Sequence, residues 1–342
     1  VTPLASSLAA RIRRDGPLRY GELVDAALYD PEHGFYEAGG HAGRRGDFLT
    51  SPEVGPLFGT VVARALASWW EELGRPDPYV VVEVGAGPGT LARAVLAAAD
   101  GPWRDALRYV TVERSAAQRA RHPTEVEARS TLPDGPITGV VLANELLDNL
   151  PFDLVERRGD EWREVLVAVD DTGALVERLG AVVDEPALPT APDGARFPLQ
   201  RAAQGFVREA LGRLARGHLL IIDYAAPDAE LVGRPWTHWV RTYRRHERGG
   251  HPLDAPGSQD ITCEVALDPL RRVAPPAEVQ TQREFLEAHG LGELVAEGRA
   301  RWQAGAGVGD LAALKARSRI READALCDPA GLGAFAVMRW VR

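Results

Sequence analysis

Residues 79–98 read YVVVEVGAGPGTLARAVLAA, and this stretch restricts the fold more than any other in the chain. Tyr79–Val84 is a β-branched apolar run, Gly85-Ala86-Gly87-Pro88-Gly89 is a sharp turn, and a helical pattern follows at once. A strand without polar alternation has to be covered on both faces, which is the situation of a parallel sheet with helices on either side. Glycine is needed where the backbone takes positive φ or where a ligand comes close to it.

The same alternation recurs downstream. RYVTVE at 108–113 is a second strand, and SAAQRARH begins a helix with Ser115 as its N-cap. TGVVLAN at 138–144 is a third strand. AAQGFVREALGRLARG at 202–217 is an amphipathic helix ending at Gly217, followed by the apolar strand HLLIIDYA. Right-handed crossovers between such strands give an α/β, doubly wound, mostly parallel sheet. The C-terminus adds the helix QREFLEAHGL, a second helical stretch and a last strand, FAVMRWV.

Two segments interrupt the pattern. One, at about 152–200, reads as antiparallel strands turning at Arg158-Gly159-Asp160; the other, at about 227–280, is polar, rich in Pro, Gly and Arg, and weakly structured by pattern. A span of that kind inside a domain reads as a lid or substrate surface, or else as disordered chain. The division expected is therefore 1–78 as an N-terminal helical cap with a Gly-rich pocket loop, and 79–342 as the core carrying both insertions. In the cap, Leu57, Val61, Val62, Ala65, Leu66 and Trp69 recur at helical spacing, with Trp69 and Trp70 read as packing residues.

Composition removes several functions. The net charge of −9 argues against a nucleic-acid surface. No apolar run reaches the ~18 residues of a membrane span, and the N-terminal residues lack the apolar centre of a signal peptide, so a cytoplasmic protein is expected. Cys263 and Cys327 form no CxxC pattern and the histidines show no metal spacing, so neither a disulfide nor a metal site is expected.

The glycine turn carries two acids. Glu83 lies two residues before Gly85, and Glu113 ends the next strand, where a carboxylate accepts ribose hydroxyls. The spacing of Gly85, Gly87 and Gly89 is GxGxG, not the GxGxxG of dinucleotide enzymes, so the set suits S-adenosylmethionine better than NAD. Ligands of open α/β sheets bind beyond the carboxyl ends of the strands. Asn144, Glu145 and Asp148 follow such an end and are candidates for the reacting side of the pocket; the plainer alternatives are helix capping or a contact to the adenosyl amine.

Further stretches carry a resemblance. GDFLTSPEVGPLFG at 46–59, VEVGAGPG at 82–89, VERSAAQRARH at 112–122, NELLDNLPF at 144–152, IIDYA at 221–225 and YRRHERGGHPLDAPGSQDIT at 243–262 run in the order found in the MidA-like family of S-adenosylmethionine-dependent methyltransferases. The resemblance covers about three-quarters of the chain. It implies a class I Rossmann-like methyltransferase fold with a helical cap and inserted lid segments. It places Asp47, Thr50 and Ser51 beside the cofactor with Glu83, Gly85, Gly87, Gly89 and Glu113. It makes Asn144, Glu145 and Asp148 the catalytic loop, and Glu53, Arg241 and His246 substrate-binding residues.

Mitochondrial members of that family methylate an arginine of a respiratory complex I subunit, so the resemblance implies an arginine-bearing acceptor protein. A small-molecule acceptor on the same scaffold and a cofactor-binding assembly factor without turnover stay open, as does a homodimer. The chain departs from the family at Cys263-Glu264-Val265-Ala266-Leu267 and at Gly331-Leu332-Gly333-Ala334-Phe335, two stretches expected to shape the acceptor site.

Overall fold

A computed structural model of the chain describes residues 2–37, 50–185, 187–244, 247–305 and 311–342. Asp47 and His246 lie outside the described residues. The central sheet has seven strands: β1 (Tyr79–Val84), β2 (Leu107–Val112), β3 (Glu127–Arg129), β4 (Ile137–Asn144), β5 (Leu214–Asp223), β6 (Glu278–Thr281) and β7 (Ala336–Val341). Their order is β6-β7-β5-β4-β1-β2-β3. Strands β1 to β5 pair in parallel, and β7 runs antiparallel between β5 and β6. The order 3-2-1-4-5 is that of a doubly wound sheet, with its switch point between β1 and β4.

Both faces of this sheet are covered, as the apolar runs require. Val81, Leu142 and Ile222 face one core with the helices Pro56–Glu72 and Thr90–Ala98, whereas Val82, Val141 and Ile221 face a second core with Arg201–Arg213. The helix before β5 ends at Arg213, not at Gly217 as its pattern suggests. Leu214–Gly217 is drawn into the sheet beside Ile137–Gly139. Gly217 serves close approach there, since a Cβ would lie 1.8 Å from the Gly139 carbonyl oxygen.

The segment before β1 divides between two packing partners. Its last helix, Pro56–Glu72, lies on the central sheet. The helices Pro3–Asp15 and Tyr20–Tyr29 instead share a third core with an antiparallel sheet built from the first insertion. In that sheet Asp153–Arg158 and Glu161–Val169 pair across the Gly159 turn, flanked by Arg196–Leu199 and Leu175–Val182, and Leu18–Arg19 adds a short edge.

The stretch 227–280 corrects the sequence reading. It holds the strand Val240–Arg244 paired with Glu247–Arg248 and Asp260–Cys263, the helix Leu267–Val273 and the edge strand β6. These strands are two to five residues long, too short for a periodic pattern to register.

Candidate active site

The glycine turn is held by the two strands it separates. Gly85, Gly87 and Gly89 have φ of 73°, 51° and 79°, values that strain any residue with a Cβ. The amides of Gly85 and Ala86 donate to the Val112 carbonyl at the end of β2. Glu113 completes the clamp: Oε2 accepts from Gly87 N–H at 2.9 Å and Oε1 from Ser115 N–H at 2.8 Å. Burial raises its pKa, and those backbone donors partly offset the effect. Behind the turn, His122 Nε2 donates to the Gly87 carbonyl and its Nδ1 accepts from the Thr111 hydroxyl.

Glu83 is buried one strand further in. It accepts from the Tyr109 hydroxyl at 2.7 Å, and burial pushes its pKa up to about 7. It lines the same cavity as the turn, together with Thr50, Glu53, Glu113, Asn144 and Glu145. Glu53 belongs to this cavity and not to the chamber described below, and its Oε1 accepts from the Thr90 hydroxyl at 2.5 Å. Past Glu113 and Tyr29 the cleft continues as an apolar recess of about 380 Å³ walled by Val84, Val112, Leu146, Leu150 and Phe206, with Ser130 at its edge.

The end of β4 forms the opposite wall. Glu145 has φ of +52°, and its amide donates to the Ile222 carbonyl of β5. Its Oε1 accepts from Ser51 N–H at 3.0 Å and from Asn144 Nδ2 at 3.1 Å. Ser51 is itself fixed by its hydroxyl, which donates to Gln282 Oε1 at 2.8 Å. Asn144 Oδ1 faces no hydrogen-bond donor among the described residues although it is buried.

A second chamber of about 480 Å³ opens on the far side of Glu145, which lines both spaces. Asp148, Tyr224, Arg234, Arg241, Thr262, Glu264 and Phe335 also face it. Asp148 is buried in a single turn of 3-10 helix; its Oδ2 accepts from the Tyr224 hydroxyl at 2.5 Å, and Oδ1 has no partner among the described residues. Asp223, at the end of β5, anchors that turn by accepting from Leu147 N–H at 2.9 Å. Burial, and next to it the charges of Asp148 and Glu145, push the Asp223 carboxyl well up.

The expected residues thus separate in space. Gly85, Gly87, Glu83, Glu113, Thr50 and Glu53 line the first cavity while Gly89 ends the turn behind it, Ser51 backs it through Glu145, Asp148 and Arg241 face the second, and Glu145 stands between them with Asn144 on the first side. Sequence reasoning missed Asp223 and Tyr224, although they end β5 as Asn144 ends β4, and the same strand-end rule singles them out. It also missed Asn149, Tyr36 and Asp260. Tyr36 donates to Asp260 Oδ1 at 3.1 Å and Asn149 Nδ2 to the same oxygen at 3.2 Å. Asn149 and Asp260 lie in two of the stretches that carry the family resemblance, whereas no local pattern marks Tyr36. Both stretches where the chain leaves the family pattern, at Glu264 and at 331–335, line the second chamber.

The first cavity fits a nucleoside that carries an ammonium group. Each Glu113 oxygen, already holding one N–H, keeps a lone pair for a ribose hydroxyl. The apolar recess could hold a flat base, and the unpartnered Asn144 oxygen could accept an ammonium hydrogen. Among the described residues, no group of three or more His, Cys, Asp or Glu side chains forms a metal site.

Comparison with known proteins agrees with this donor set. A family model described as "Putative S-adenosyl-L-methionine-dependent methyltransferase" matches residues 61–284. The protein arginine methyltransferase NDUFAF7 homolog, mitochondrial, of Drosophila melanogaster is 30% identical over 323 residues, covering 79% of this chain and 70% of that protein. Its counterpart in Danio rerio is 27% identical, covering 83% and 76% respectively. A crystal structure from Burkholderia thailandensis bound to S-adenosyl-homocysteine superposes with a TM-score of 0.85 at 28% identity, covering 99% of this chain and 92% of that one.

Proposed function

The chain belongs to the family of S-adenosyl-L-methionine-dependent methyltransferases, and from that premise we propose that it transfers a methyl group to the guanidinium of an arginine on a partner protein. S-adenosyl-L-methionine is the cofactor and supplies, when bound, an electrophilic methyl on a sulfonium. The observation that carries the reading is the position of Glu145, a carboxylate in the wall shared by the cofactor cavity and a second chamber.

Guanidinium is a poor nucleophile because its pKa lies above ~12 and its nitrogens hold no free lone pair. A carboxylate that grips it fixes its orientation and draws positive charge away from the attacking nitrogen. Glu145 is set for that grip, with Oε1 held by Ser51 and Asn144 and Oε2 left for the acceptor. Asp148 supplies a second anion, with Tyr224 steadying one of its oxygens. In the transfer a nitrogen–carbon bond forms, the sulfur–carbon bond breaks with its electron pair left on sulfur, and one proton leaves the nitrogen. Glu145 or Asp148 is placed to receive that proton. Orientation of this kind is worth ~7–11 kcal/mol of a barrier.

Names of the relatives support a protein acceptor, since they are protein arginine methyltransferases. The test uses methyl-labelled S-adenosylmethionine, the purified protein and a cell extract divided into protein and small-molecule fractions. Methylated arginine in the hydrolysed protein fraction is the expected product. Label confined to the small-molecule fraction would replace this reading with a small-molecule methyltransferase. No label in either fraction would leave a cofactor-binding protein without turnover.

A further inference from the structure

The second chamber holds two arginines in unlike circumstances. Arg234 is neutralised, with Nη2 3.1 Å from Glu264 Oε2 and 3.7 Å from Glu230 Oε1. Arg241 makes no ion pair with a carboxylate among the described residues. Its Nε donates to the His238 carbonyl at 2.7 Å, and its guanidinium lies over the Tyr224 ring, 5.9 Å from the centroid. The hydroxyl of that same ring is the one bound to Asp148. One tyrosine therefore separates an anion available to a guanidinium from a cation without a counter-ion among the described residues.

This arrangement selects among acceptors. An arginine entering alone pairs with Glu145 and Asp148 but brings its charge towards Arg241, where a like charge disfavours it. An acceptor that carries a carboxylate close to its arginine satisfies both ends, and guanidinium–carboxylate pairing is the stronger class of hydrogen bond. We propose that Arg241 binds an acidic side chain lying within about two positions of the acceptor arginine, the reach of an extended chain past one ring. The substrate class is then an arginine with an Asp or Glu neighbour in a partner protein, and the inference rests on the arginine reading above.

The test compares three peptides on the whole chain. One has a single internal arginine flanked by glutamates, the second has glutamines in their place, and the third keeps the glutamines but ends at the arginine with a free α-carboxylate. KM is read with labelled S-adenosylmethionine, and Kd by fluorescence anisotropy with S-adenosyl-homocysteine present. The glutamate peptide is expected to bind about tenfold more tightly than the glutamine peptide, and Arg241→Gln to bring the ratio to one while Arg241→Lys keeps part of it.

Equal affinity for the first two peptides, a ratio that survives Arg241→Gln, or no binding of either peptide would overturn the proposal. Tightest binding of the third would move the carboxylate to a chain terminus and overturn it as stated. A glutamate preference in Kd with no methyl transfer to any peptide would keep Arg241's role and remove the arginine-transfer reading instead.

Discussion

Glu145 is a non-glycine residue at φ +52°, a conformation that costs of order 1–3 kcal/mol and persists only where the surroundings impose it. Here the hydrogen bond from its backbone N–H to the Ile222 carbonyl of β5 and the two donors on Oε1 impose it, and the result turns the carboxylate into the wall between the two spaces. Glu145 is only part-buried because it looks into those spaces, yet the protein around it pushes its pKa up to about 8. Burial is the main cause, Asp148 adds to it, and the bonds from Ser51 and Asn144 oppose it. The acceptor guanidinium stays charged throughout, so the free enzyme binds it only once Glu145 is ionised. kcat/KM should therefore climb with pH through about 8 and level off above it. In Asp148→Asn a charge that raises the Glu145 pKa is gone, so the midpoint should move to lower pH. A pH–rate profile that is flat from 6 to 9 would remove Glu145 from the ionisation that limits activity.

At the scale of elements, the site is a set of strand ends joined by short helices, and its precision depends on how closely those helices pack. The helix Thr90–Ala98 starts at the glycine turn and lies against Pro56–Glu72, where a Cβ on Gly59 would come within 2.3 Å of the Ala94 Cβ. Gly59→Val should destabilise the fold by ~1–3 kcal/mol. The displaced helix carries the turn with it, so affinity for S-adenosyl-homocysteine should fall as well. Thermal melting with and without that ligand checks both effects, and an unchanged melting temperature would contradict this packing account.

Elements also show what the sequence makes legible. β1, β4 and β5 were readable because burial on both faces removes polar alternation, and Gly85 and Glu113 because they occupy fixed places in a strand–turn–helix unit. The strands Val240–Arg244 and Asp260–Cys263 were not, since two short polar strands have no period of their own. The bond from Tyr36 to Asp260 spans 224 residues and joins two segments without regular pattern, so only the folded chain brings it into view. Asp223 is within reach of the strand-end rule, since it ends β5 as Asn144 ends β4.

Across the whole molecule, the strand ends of a doubly wound sheet supply the first cavity, and the second insertion and the stretch 330–335 together wall the second chamber. The N-terminal segment is tied to both parts: Tyr29, at the end of the helix Tyr20–Tyr29, and Tyr36 in the turn after it line the first cavity, while that helix packs against the antiparallel sheet of the first insertion. Resemblance to the methyltransferase family identified the cofactor half, and the two stretches that depart from that family converge on the other chamber. Acceptor choice is therefore the property in which this chain is expected to differ from its relatives.

The central claim is that Glu145 serves the transfer and not the cofactor. The most direct measurement is Glu145→Gln assayed twice, by calorimetric binding of S-adenosyl-homocysteine and by single-turnover release of label to the acceptor protein. Glutamine keeps an oxygen for Ser51 and Asn144 but carries no charge for a guanidinium. Binding should stay within a few-fold of the parent, and transfer should fall by at least about a hundredfold, the scale of losing one preorganised electrostatic contact. Transfer at the parent rate, or lost cofactor binding that accounts for all of the lost transfer, would contradict the account.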